Sequence, residues 1–254
     1  MPQDDVLAQL VTMSNNLGDP ALDYVILGEG NTSARADSET FWVKASGTEL
    51  RTIDRAGFVR VCFDKALALL EAGDPSDDAI EAGLEEAKAD PSVTAHPSVE
   101  TVLHALALQL EDVHFVGHTH PTVVGALLCS QKVEEAIAGR LFPDEIVYCG
   151  PAPVYIPYTD PGVPLARAMR QALADYQAEH SQPPKVILMQ NHGLIALGKT
   201  ALEVENITAM YTKTAWVLLG TYALGGPHFL SPAAVVRIHT RPDEQYRRKE
   251  WESR

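Results

Sequence analysis

Val113-His114-Phe115-Val116-Gly117-His118-Thr119-His120-Pro121 is the stretch that sets the fold. Its opening, Val113 to Val116, has the β-branched and aromatic character of a strand. The run then passes into Gly117-His118-Thr119-His120, and Pro121 suits the first turn of a following helix, where a missing N–H costs nothing. A strand that ends in polar residues and hands over to a helix is the unit of an α/β protein. Lys185-Val186-Ile187-Leu188-Met189 has the same form: a buried strand stopping at Gln190-Asn191-His192-Gly193, with Leu194 to Leu197 as its hairpin return.

Working outward, residues 4–17 place Val6, Leu7, Leu10, Val11 and Met13 at helical spacing. Tyr24-Val25-Ile26-Leu27 reads as a strand entering the turn Gly28-Glu29-Gly30-Asn31-Thr32-Ser33. Thr40-Phe41-Trp42-Val43-Lys44 is its expected hairpin partner, closed by Ala45-Ser46-Gly47. Phe58 to Phe63 is strand-like and Asp64 to Glu71 helical. Residues 71–90 hold eight acids and one base, Lys88, a pattern that fits a solvated loop and helix face better than an acidic interaction surface. Ser98 to Leu110 forms a helix with Leu103, Leu106, Ala107 and Leu110 on one stripe. Ile146 to Cys149 and Ala152 to Ile156 read as short strands, Pro164 to Glu179 and Ala201 to Leu224 as helices. The expectation is one α/β domain over residues 1–254, with a charged tail from about 240. Its sheet should be mixed or mainly antiparallel, with helices packed on it.

Composition narrows the partners. Lys and Arg total 20 against 34 Asp and Glu, a net charge of −14, which argues against nucleic acid or an anionic membrane as the main partner. Hydrophobic residues at 46% and charged residues at 21% exclude wholesale disorder. Cys62, Cys129 and Cys149 form no CxxC pair, so neither a disulfide scaffold nor a cysteine zinc knuckle is expected. The acidic start Met1-Pro2-Gln3-Asp4-Asp5 is unlike a signal peptide, and the longest apolar stretch, Ala215 to Gly226, is short of the roughly 20 residues of a span. A soluble cytoplasmic protein is expected.

The chemistry sits with a few histidines and turns. Alternation along a strand sends His118 and His120 to the same face, the arrangement of two ligands on one metal. His192 also stands where an apolar strand ends, so three imidazoles could converge and leave coordination positions open. Glu100 lies near the start of the Ser98 helix, where a carboxylate also suits a plain helix N-terminus. His104, one turn on, borders the apolar stripe and reads as a core residue or a support for the site. The two glycine-bearing turns and Ser98 offer N–H groups, hydroxyls and the Lys44 ammonium to an anion. Gly28-Glu29-Gly30 lacks the third glycine of a dinucleotide fingerprint, since Ser33 stands there, and no GxxxxGK[ST] loop occurs.

In order, Gly30-Asn31-Thr32-Ser33, Lys44-Ala45-Ser46-Gly47, Pro97-Ser98-Val99-Glu100, His118-Thr119-His120-Pro121 and Asn191-His192-Gly193 resemble the class II aldolase/adducin family over roughly residues 4–225. The resemblance implies a three-layer αβα sandwich with a central, mostly antiparallel sheet, assembled as a homotetramer. It also implies a zinc ion on His118, His120 and His192, with Mn, Co or Fe as alternatives. Glu100 corresponds to the acid that ligates the resting metal and shuttles the proton. Gly30, Asn31, Ser46, Gly47 and Ser98 correspond to phosphate-side contacts, with Lys44 beside them. The pattern departs at Val99, where aldolases and the epimerase of the family usually carry a second serine. The implied activity is aldol cleavage of a ketose phosphate or a related hydroxy-keto sugar acid. Epimerases, decarboxylases, dehydratases and the non-catalytic adducin head share the family.

Overall fold

The computed structural model describes residues 3–73 and 75–244. Residues 245–254 of the expected charged tail lie outside them. A seven-stranded sheet runs through the centre in the order β3-β2-β1-β4-β7-β6-β5. The strands are β1 (Asn31–Arg35), β2 (Thr40–Lys44), β3 (Phe58–Cys62), β4 (Phe115–Thr119), β5 (Val154–Ile156), β6 (Val186–Met189) and β7 (Leu194–Gly198). Every pairing is antiparallel except β5 with β6.

Both faces of this sheet are covered, which is why β6 and β7 read as continuous apolar runs rather than alternating ones. Val116, Ile187, Met189, Ile195 and Leu197 point into one core. Over them pack α2 (Phe63–Ala68), α4 (Thr101–Leu108) and α8 (Val163–His180). Phe115, Val186, Leu188, Leu194 and Ala196 point into the other. There α1 (Gln3–Leu17), α5 (Thr122–Leu128), α7 (Pro143–Cys149) and α9 (Ala201–Tyr222) pack. The architecture is the three-layer sandwich with a mostly antiparallel sheet that the sequence led us to expect. Among the described residues no helix is long and apolar enough to cross a membrane.

Several local expectations need correction. Tyr24 to Leu27 forms turns, not a strand. Tyr24 and Val25 are buried, Ile26 and Leu27 are exposed, and Leu27 adopts a left-handed φ of 52° that ends any extended run. The hairpin partner of β2 is therefore β1, the continuation of the glycine turn. Ile146 to Cys149 belongs to α7, whose start at Pro143 is followed by Asp144 and Glu145, favourable first-turn chemistry for a helix. Pro121 is the N-cap of α5 rather than its first residue. The helix expected from Ser98 begins at Thr101 with Glu100 as its N-cap. The acidic stretch contains α3 (Asp77–Glu86), with only Leu84 buried, as a solvated helix face should be. A helix not read from the sequence, α10 (Pro232–Thr240), starts from Ser231, whose hydroxyl accepts the Ala234 N–H.

Candidate functional site

The site gathers at the end of the sheet's centre, where β1, β4 and β7 lie side by side. Register places His118 on β4 opposite Asn31 of β1 and Ile195 of β7. His118 shares the sheet face of Val116, the face covered by α4, and α4 carries Glu100 at its N-cap. His120 follows the end of β4, held by its N–H to the Tyr24 carbonyl at 2.8 Å. His192 sits in the turn joining β6 to β7. Asn191 adopts a left-handed φ of 54° there, and the His192 N–H reaches Met189 O at 3.1 Å.

These elements bring the three imidazoles together. Ring centroids are 4.6 Å apart for His118 and His120, 4.9 Å for His118 and His192, and 5.2 Å for His120 and His192. One nitrogen from each lies within 4.8 Å of the others, an arrangement able to hold a metal ion. Gly193 makes the packing possible: a Cβ there would meet His120 Cδ2 at 2.6 Å, Thr119 O at 2.7 Å and His118 Cε1 at 3.0 Å. Gly30, at φ 68°, is equally constrained, because a Cβ would stand 2.5 Å from His118 O. Sequence reading assigned Gly30 to the anion side and gave Gly193 no role. Its position directly after His192 was the available signal.

Glu100 closes the group. Its Oε2 lies 3.4 Å from His118 Nε2 and its Oε1 3.2 Å from His192 Nε2. The Asn31 amide donates to Oε2 at 2.6 Å, and more weakly to Ser98 Oγ at 3.4 Å. Asn31 is fixed from behind: its Oδ1 hydrogen-bonds His104 Nε2, and His104 Nδ1 meets the Ser33 hydroxyl at 2.6 Å. A carbonyl oxygen only accepts, so His104 donates from Nε2 and the Ser33 hydroxyl donates to Nδ1. His104 is thus a buried support of the site, one of the two roles its sequence position allowed.

The electrostatics suit cation binding. Burial lowers the His118 pKa and pushes His120 down to about 3, the latter reinforced by its imidazole neighbours and opposed by Glu100. Burial likewise pushes His104 down to about 3. Neutral imidazoles are the form that ligates metal. Burial raises the Glu100 pKa, but His118, His192 and the Asn31 amide outweigh it, and the carboxyl stays well below the usual range. Its buried Oε1 makes no hydrogen bond, a lone acceptor facing the imidazoles. His118 commits Nδ1 to Leu194 O at 3.0 Å and turns Nε2 inward, 2.9 Å from His120 Nε2. Three converging imidazole nitrogens and an unsatisfied carboxylate oxygen fit a divalent ion of the zinc type.

The remaining residues of interest divide. Asn31 and Ser98 belong to the carboxylate's surroundings. Lys44 is buried, its Nζ donating to Gly28 O at 3.4 Å; desolvation lowers its pKa while Glu100 and Glu49 counter it. Ser46 and Gly47 are exposed, tied to the Glu100 segment by Ser46 N to His96 O at 2.8 Å and Ser98 N to Lys44 O at 3.3 Å. They open onto a neighbouring cleft of about 530 Å³ whose lining includes Pro97, Val99, Asp77, Ile80 and Glu81. None of the three histidines lines that cleft, and its charged wall is acidic.

Comparison with known proteins is consistent with this geometry. Residues 8–219 match the family model described as the class II aldolase and adducin N-terminal domain. The chain is 29% identical over 206 residues to a Bacillus subtilis (strain 168) protein named Uncharacterized oxidoreductase YuxG; the match covers 76% of this chain. It covers 26% of that protein, so the chain spans about a quarter of the relative's length. Among solved structures, the N-terminal class II aldolase domain of a conserved protein from Thermoplasma acidophilum superposes with TM-score 0.64 at 26% identity, covering 83% of this chain and 92% of that one. An L-fuculose 1-phosphate aldolase superposes with TM-score 0.69 at 18% identity, covering 96% of each chain.

Proposed function

This chain belongs to the class II aldolase and adducin family, and we propose that it is a zinc-dependent aldehyde-lyase. It cleaves a ketose phosphate or a related hydroxy-keto sugar acid. The observation that carries the reading is the Glu100 carboxylate set 3.4 Å and 3.2 Å from two of three converging imidazole nitrogens. A scaffold keeping the fold only to bind partners has no use for that buried arrangement.

In this reading His118, His120 and His192 would hold the ion, with the Glu100 carboxylate beside them. An ion held there would supply Lewis acidity toward a substrate carbonyl and its neighbouring hydroxyl. Glu100, ionised, moves the proton: in cleavage it takes the one released as the substrate hydroxyl becomes the aldehyde and passes it to carbon, and in condensation it runs the same transfer in reverse. Asn31, locked by His104 and Ser33, holds the Glu100 carboxylate in position. Lys44, Ser46, Gly47 and Ser98 are assigned to the anionic end of the substrate, and Gly30 and Asn31, expected at the same end from the sequence, instead shape the ground beside His118 and Glu100. Val99 and the acidic lining of the adjoining cleft favour a sugar acid over a dianionic phosphate at that end.

The family resemblance supports a cytoplasmic homotetramer, and the exposed Trp216 on α9 is in keeping with assembly. The test combines metal analysis with a substrate screen. Purified chain should carry one zinc per protomer and release aldehyde from a phosphorylated ketose or sugar acid, with activity lost on chelation and restored by zinc. An empty site in cells grown with zinc points to the non-catalytic branch. Carbon dioxide release or epimerisation from the same substrates replaces aldol cleavage with a sister reaction.

A further inference from the structure

We propose that Glu29 is a positioning residue for His120, a hydrogen-bond acceptor for its Nδ1–H that keeps Nε2 free for metal; this rests on the metal reading above. A metal-ligating imidazole carries its proton on the other nitrogen, and that N–H ordinarily finds a carboxylate or carbonyl that fixes the tautomer and ring plane. His118 has such a partner in Leu194 O at 3.0 Å. His120 turns Nε2 toward the cluster, 2.9 Å from His118 Nε2, and its Nδ1 toward Glu29 Oε1 at 3.9 Å. A small shift of either side chain closes that distance to a hydrogen bond.

Glu29 is held for the task. Its Oε2 accepts the Ile26 N–H at 3.0 Å, and its own N–H reaches Ile26 O at 3.1 Å, closing a tight turn. Leu27 and Gly30 take positive φ within that segment, and the Tyr24 carbonyl ties it to His120 itself at 2.8 Å. The carboxylate therefore has two oxygens with two tasks: one braces the turn and the other serves the imidazole. Glutamine offers a single acceptor oxygen and cannot do both.

The experiment uses Glu29→Gln and Glu29→Ala in the full chain. Zinc affinity is measured by competition with a chromophoric chelator, and the His120 Nδ1 proton is followed in the zinc-loaded protein by ¹H–¹⁵N imidazole spectra. We expect both variants to lose about 10–100-fold in zinc affinity. The downfield Nδ1–H signal of the wild type should exchange away in both, and Glu29→Gln, whose amide oxygen can still accept the Ile26 N–H, should leave metal-free thermal unfolding unchanged. Wild-type affinity in the variants, or an unaltered Nδ1–H signal, overturns the assignment and leaves the proposed function standing. A wild-type chain that binds no zinc overturns the proposed function, and this assignment with it.

Discussion

Replacing Gly193 with alanine puts the packing of the histidine cluster to a quantitative test. The added methyl would lie 2.6 Å from His120 Cδ2, 2.7 Å from Thr119 O and 3.0 Å from His118 Cε1. Two of these atoms belong to rings that can move, but the Thr119 carbonyl is backbone at the end of the central strand and cannot move without disturbing the sheet. Overpacking of this kind costs about 1–3 kcal/mol. For a chain of this size that lowers Tm by roughly 2–12 °C. Moving the rings is the cheaper relief, and it separates the nitrogens that must meet at one ion. If about 1.4 kcal/mol of the strain must be overcome again on binding, zinc affinity falls about tenfold. The assay is calorimetric unfolding of metal-free and zinc-loaded protein, with Gly28→Ala as the control, since a Cβ there meets nothing within 4 Å and its φ is not left-handed. Gly193→Ala matching Gly28→Ala in both Tm and zinc affinity would refute the view that this glycine makes room for the imidazoles.

Glu100→Gln keeps the side chain's size and leaves the three imidazoles in place, so bound zinc should persist. Turnover per bound zinc should drop about 10²–10⁴-fold, because an amide takes up no proton at neutral pH; near-normal turnover per zinc removes Glu100 from proton transfer. Val99→Ser adds a hydroxyl donor beside the Ser46–Gly47 turn. It should lower KM for a phosphorylated substrate by about tenfold, as a hydrogen bond to a charged group allows, with kcat unchanged; an unmoved KM places the phosphate elsewhere. The metal-free chain should lose stability on mild acidification. His104 and His120 have folded pKa values near 3 against an ordinary 6.5, so below 6.5 the unfolded chain binds more protons. Tm should therefore fall as pH drops from 6.5 toward 4.5, and a flat Tm across that window contradicts neutral burial of these imidazoles.

The fold was legible where burial is two-sided or periodicity strong. β6 and β7 announce themselves as unbroken apolar runs, and α9 is long enough that its ends hardly matter. The misreadings share a cause. Tyr24 to Leu27 is apolar but does not alternate, since two neighbours are buried and the next two exposed, a turn's geometry with strand-like composition. Ile146 to Cys149 is β-prone by composition, yet Pro143, Asp144 and Glu145 just upstream specify a helix start, and the local cap outweighs the propensity of the residues after it. The N-cap position of Glu100 matters more. One residue inside the helix, its side chain would follow the helical ridge; at the cap it can bend to His118 and His192.

The site was legible only in part, because its residues are close in space for reasons of strand order. His118 and His120 lie one residue apart, so the alternation of a strand unites them by itself. His192 joins them because β7 lies next to β4, and Asn31 because β1 is β4's other neighbour. Neither adjacency can be read from the strands singly. The supports depend on the same order. Ser33 and His104 are 71 positions apart, Asn31 and His104 73, and both contacts exist because β1 lies beneath α4. A histidine at one-turn spacing from Glu100 could have been plain core. It becomes a support for the Glu100 carboxylate because Asn31 spends its carbonyl on His104 and is left with its amide to grip Glu100. Residues that do chemistry are recognisable by type and spacing, whereas those that hold them in place become recognisable only once the sheet is ordered. Glu29 belongs to this second kind: in sequence it is an ordinary acid in a glycine turn, and only the antiparallel pairing of β1 with β4 sets it beside His120.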